Sequence, residues 1–149
     1  MLKKTILVTV LFFFHMTSYL LADQSETLAA DNLEKLLLTG SCSGCYLKGV
    51  NLEGADLNKA NLQNATLTNV NFSKADLTGA NFSGANLRYT SFKNTKAVGT
   101  NMSGADLSSA DLTEADFTNA DLSYTNLFNI IKKKTVFKNT RFENAVMNN

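Results

Sequence analysis

A chain of 149 residues with 44% hydrophobic composition is long enough for one domain, and 14 Lys+Arg against 13 Asp+Glu leave it close to neutral. Near-neutrality excludes binding a polyanion or a polycation through net charge alone. With one histidine and two cysteines, few side chains remain for catalysis or metal binding.

At the front, Lys3 and Lys4 precede the apolar run ILVTVLFFFHMTSYLLA. The run is short and interrupted for a membrane span but has the charged and apolar regions of a secretory signal. Residues 1–22 are therefore expected to be a signal peptide cut after Ala22, with Leu20 at the minus-three place; retention as an N-terminal anchor is the competing reading. No cysteine follows closely enough for a lipoprotein anchor. Cleavage would remove Lys3, Lys4 and His15, leaving 12 Lys+Arg, 13 Asp+Glu and no histidine. The expected location is the periplasm or the outside of the cell, where an even number of cysteines favours a disulfide.

Residues 23–40 follow as a helical segment. SETLAADNLEKLLLTG has Ser25 as an N-cap, Leu28, Leu33, Leu36 and Leu37 at helical spacing, and Gly40 as a stop, which predicts a helix over 25–38.

From residue 45 the sequence runs in fives: CYLKG, VNLEG, ADLNK, ANLQN, and so on to AVMNN, 21 units without an insertion. A strict period of five suits neither a helix nor a long strand and marks a solenoid. Each unit has a small residue first and a large apolar one third, with Gly or Asn fifth in 14 of the 21. Places one and three share a face of a short extended segment, and place five must turn, where Gly and Asn accept the positive φ of a type II turn. Four such turns close a square coil. These units resemble the pentapeptide repeat family, whose motif is A(D/N)LXX. The resemblance covers residues 45–149 and implies an all-β solenoid: a right-handed quadrilateral β-helix of four units per coil, here over 41–149 with the N-terminal helix as its cap.

Coils at about 4.8 Å spacing make a rod on the order of 25 Å long. Twenty-residue steps predict four inward columns: Leu47 to Met147, Leu52 to Lys132, Leu57 to Phe137 and Leu62 to Phe142. Two units break the pattern. TKAVG puts Ala97 at a large place while Thr90, Thr95 and Thr100 fill small ones, so a local distortion is expected, with Phe117 filling the gap. IIKKK puts Lys132 inward, so a bulge is expected near 128–134 that turns the lysines out. The open far end needs a cover. The basic and hydrophobic tail from Ile130 to Asn149 is where a partner or a second copy would dock, and the family resemblance implies end-to-end homodimers.

The motif CSGC joins helix to coils. Counting back from Leu47 puts Cys42 at an inward large place and Cys45 at the next inward small place, with Ser43 and Gly44 turning between them. A disulfide tolerates that span, as does a buried reduced pair.

Chemistry is otherwise sparse. After removal of residues 1–22 the chain would hold no histidine and so no Cys-His or Ser-His-Asp arrangement, and zinc would need two ligands beyond the cysteines. Asp106, Asp111, Asp116 and Asp121 fall on four sides of the rod and read as solvated positions, and the glycines follow the turn period rather than a phosphate loop. No catalytic, cofactor or metal site is expected. Sorted by side, Tyr46, Lys48, Arg88, Tyr89 and Phe128 form a candidate contact face. Another side carries Asn61, Asn81, Asn101, Ser83, Ser103, Ser123, Gly84 and Gly104 and is flat and nearly uncharged; free drift of outward residues would also account for both.

The expected function is an exported, non-enzymatic scaffold or protein-binding module with an unidentified protein partner. Neither nucleic acid nor, after signal removal, a membrane is expected to bind. The resemblance also implies an alternative, a DNA mimic acting on type II topoisomerases, although the mixed surface charge and the signal depart from it. A CxxC thiol/disulfide redox protein is the third reading, without the βαβ context such proteins have.

Overall fold

The computed structural model of the protein describes residues 24–148; the expected signal segment lies outside the described residues. Helix α1 spans Gln24–Thr39, and from Ser41 onward the backbone winds as a continuous β-helix. Every bridge joins residues 20 apart in parallel, from Ser41 with Asn61 to Asn126 with Val146, so four five-residue units make each turn of the coil. No extended strand forms among the described residues, because each side contributes a single bridging residue before the next corner.

The five backbone N–H groups of a unit explain the motif. In VNLEG, the third-place N–H of Leu52 and the fifth-place N–H of Gly54 donate to the next coil, to Asn71 O at 2.8 Å and Ser73 O at 2.9 Å. One coil on, the second-place N–H of Asn71 donates back to Val50 O at 3.1 Å. The first-place N–H of Ala55 closes the corner on Leu52 O at 3.1 Å. Only the fourth-place N–H is left, and the second-place side chain takes it: Glu53 N–H donates to Asn51 Oδ1 at 3.1 Å. This Asx cap recurs wherever Asp or Asn holds the second place in units 45–129. All backbone donors of such a unit are thereby paired, which buried and turning chain requires.

The fifth place has positive φ in every unit from Gly49 to Asn144, as the turn demands. Lys59, Lys74, Tyr89, Ser109, Glu114, Tyr124 and Lys134 adopt it too, at a cost that Gly or Asn would avoid.

The inward columns are buried as expected from Leu47 through Leu127, and burying each Leu or Phe contributes roughly 1.5–3 kcal/mol. Phe72, Phe92, Phe117 and Phe137 form a chain of ring contacts with centroids 5.3–6.1 Å apart. Around Ala97 the expected distortion does not occur. Bridges and hydrogen bonds continue through Lys96 and Asn101. Thr90, Thr95 and Thr100 are buried at no loss because their hydroxyls donate to Leu87 O, Phe72 O and Ala97 O at 2.6–2.9 Å.

The expected bulge at 128–134 is also absent. Ile131 bridges Asp111 in register, and Glu114 N–H reaches Lys133 O at 2.9 Å. Lys132 keeps its inward phase yet is exposed, because no layer of the described structure lies over the coil 130–148. A bulge is unnecessary where the inward-phase side chain is itself exposed.

Helix α1 packs across the first coil. It starts one residue before Ser25, which therefore lies in its first turn rather than acting as the N-cap, and ends at Gly40, whose N–H bonds Leu36 O at 2.8 Å. Leu36 is buried in the same core cluster as Cys42, Leu33 packs against that cluster, and Asn32 Nδ2 donates to Tyr46 O at 3.1 Å. The helix thus covers core and satisfies an edge carbonyl.

Candidate functional site

The structure carries three features to which a function can be attached. The first is the cysteine corner. Cys42 N–H pairs with Asn61 O at 2.7 Å and Cys45 N–H closes on Cys42 O at 3.2 Å, so the CSGC motif is a corner of the first coil with Gly44 at positive φ. The Cα atoms are 5.3 Å apart and the sulfurs are at bonding distance. Both side chains are buried beneath α1, with Cys42 Sγ 3.2 Å from Asn32 O.

The second is the side carrying Tyr46, Lys48, Arg88, Tyr89 and Phe128. The bridges do align these residues along one side of the rod. They do not meet in one patch: Thr66, Thr68, Asp106 and Ser108 lie on intervening layers. Arg88 stacks its guanidinium 5.5 Å from the Tyr89 ring centroid and lies 4.0 Å from Asp106 Oδ2. Tyr89 and Phe128 are half exposed, whereas Tyr46 is partly covered by α1. An open groove of about 570 Å³ lies between α1 and the first coil, lined by Glu26, Ala29, Leu33, Tyr46, Lys48 and Val50 among others. Periodicity could not reveal this groove, because it depends on how the helix crosses the coil.

The third is the pattern of surface charge. Along the sides, cations pair with carboxylates one layer away: Lys74 with Glu53 at 2.8 Å, Lys93 with Asp111 at 3.1 Å, Lys96 with Asp76 at 3.0 Å and Lys134 with Glu114 at 3.1 Å. The Thr78 hydroxyl facing it, the Thr78 N–H at 2.9 Å and the Lys96 ammonium hold Asp76 down at about 2. Asp121 is likewise lowered, with the Ser123 hydroxyl facing it and the Ser123 N–H donating to its Oδ1 at 3.0 Å. Asp106, Asp111, Asp116 and Asp121 occupy four sides, as expected, but each caps a turn rather than merely facing solvent.

A family model for pentapeptide repeats, in 8 copies, matches residues 45–84, 67–104 and 85–123. The chain belongs to the pentapeptide repeat family. Solved members give the coil its right-handed β-helix. One similar structure is HetL from Nostoc sp. strain PCC 7120, described as involved in heterocyst differentiation regulation: 25% identity, TM-score 0.57, covering 72% of this chain and 55% of HetL. QnrB1, a plasmid-mediated fluoroquinolone resistance protein, matches at 20% identity and TM-score 0.55 over 73% of this chain and 55% of QnrB1, a likeness of fold alone. Rfr23 from the cyanobacterium Cyanothece 51142 matches at 27% identity and TM-score 0.47, covering 80% of this chain and 99% of that one. This pentapeptide repeat protein therefore spans about half the length of HetL and QnrB1. No curated protein sequence matches it.

Proposed function

We propose that this pentapeptide repeat protein is an exported, non-enzymatic scaffold that works through the outside of its rod. The observation that carries the reading is the cysteine corner: two sulfurs at bonding distance, buried under α1, in a chain whose N-terminus has the pattern of a secretory signal. Such a pair serves as a permanent staple in an oxidising compartment. Its burial disfavours a redox role, since thiol exchange needs an accessible sulfur. The partner would be a protein that reads the half-exposed Arg88, Tyr89 and Phe128 or the groove beside Tyr46 and Lys48. The topoisomerase reading is disfavoured, because Lys74, Lys93 and Lys96 pair with neighbouring carboxylates and leave the sides of the rod with mixed charge.

The experiment is a fusion behind Asn149 of an enzyme active only after export, with and without residues 1–22. Activity that depends on those residues supports the reading. Cytoplasmic retention of the intact chain sinks it and returns the cytoplasmic alternative.

A further inference from the structure

Whole-chain neutrality hides a segregation of charge that the fold makes spatial. Residues 24–129 carry 7 Lys+Arg against 11 Asp+Glu, whereas the last described coil, 130–148, carries 5 against 1. Of these five, Lys134 and Arg141 pair with Glu114 and Asp121 in the layer below. Lys132, Lys133 and Lys138 are exposed and form no ion pair with any described residue.

In the same layer the outward second place changes character. In the earlier units it is Asp or Asn in 13 of 17; in the last coil it is Ile131, Val136, Arg141 and Val146. Ile131, Val136 and Val146 are 54%, 46% and 59% exposed. Without Asp or Asn the Asx cap is lost, so the N–H groups of Lys133 and Lys138, like those of Lys48, Thr68, Lys93 and Val98 in the lower coils, have no partner among the described residues. Just below stand the exposed aromatic rings of Tyr124 and Phe128.

We infer that this coil docks on an anionic lipid bilayer, with the lysines and free N–H groups on lipid phosphates and the aliphatic and aromatic side chains at headgroup depth. The geometry favours a plane. Ile131, Val136, Arg141 and Val146 lie on four different sides of one layer, so a protein held against one side reaches one or two of them. A flat surface lying across coil 130–148, the last described layer, reaches all four. A second copy, the occupant that the family resemblance implies for this tail, would set Lys132, Lys133 and Lys138 against the same three lysines. Deep insertion is excluded by the unpaired edge N–H groups of Lys132, Phe137 and Phe142, which hydrocarbon would not satisfy.

The test is co-sedimentation of the chain as recovered from cells with phosphatidylcholine vesicles, with and without phosphatidylglycerol. The readout is the phosphatidylglycerol-dependent part, compared between variants sharing the same N-terminus, because residues 1–22 are themselves apolar. The wild type is expected to bind only the anionic vesicles and to lose binding toward 1 M salt, where the Debye length is about 3 Å. Lys132→Gln, Lys133→Gln and Lys138→Gln together should weaken binding roughly a hundredfold. Ile131→Asn with Val136→Asn, which restores the residue type of the lower coils and keeps the rod, should weaken it as well. Equal binding to neutral vesicles, unchanged binding of both variants, or binding to polyglutamate with none to vesicles would overturn the inference.

Discussion

Replacing the four aspartates of one coil tests the claim that the second place of the motif is a backbone cap. Asp106, Asp111, Asp116 and Asp121 accept the N–H groups of Ser108, Thr113, Thr118 and Ser123 at 2.9–3.0 Å. Loss of a comparable cap at a helix start costs about 1 kcal/mol. The four sit on separate sides and share no partner, so changing all four to Ala should cost about 4 kcal/mol by addition. Asn keeps the accepting oxygen and loses only the charge. The ion pairs of Asp106, Asp111 and Asp121 are solvent-exposed and together contribute about 1 kcal/mol or less. Urea unfolding of wild type, the four-Asn set and the four-Ala set should therefore show midpoints in that order with a common slope, the Ala set well separated. Equal losses for Asn and Ala would show that charge, not capping, is what matters; no loss for Ala would refute the cap altogether.

Three further outcomes are expected. Asp76 is held at about 2, below its ordinary value of 3.8, so its contribution is complete above about pH 4 and is lost as pH falls through about 2. Its partial exposure keeps that contribution within about 1 kcal/mol, and Asp76→Asn should flatten the acid limb of stability against pH between 4 and 2. Ser109→Gly, at φ +61°, should raise stability by about 0.5–1 kcal/mol in urea unfolding, while the same change at a negative-φ outward site should lower it. Cys42→Ser with Cys45→Ser should cost about 2 kcal/mol, and reductant should then leave the melting temperature of the variant unmoved while lowering that of the wild type.

Much of the architecture was legible because the repeat is its own ruler. A period of five with Leu or Phe third predicts the inward columns, and twenty-residue steps predict which side chains stack; Leu47 through Leu127 are buried accordingly. The same ruler placed Cys42 and Cys45 at the two ends of one corner. It erred where it treated a pattern break as a backbone break. Ala97 and Lys132 do not disturb the register, because register is held by main-chain bonds to the neighbouring coils that any residue can make.

The sequence by itself determined the solenoid, its register and the inward residues, since these follow from local alternation and turn chemistry repeated along the chain. Only the tertiary structure decided what depends on stacking. It showed that Asp and Asn cap the one N–H the coils leave over, and that α1 crosses the first coil to bury the cysteines and leave a groove. It also showed that, in the basic and hydrophobic tail, Lys132, Lys133 and Lys138 form no ion pair with a described residue and Ile131, Val136 and Val146 are exposed on the same layer. Residues 20 apart are neighbours only after the coil closes, so charge balance and exposure are properties of the layer and not of the chain.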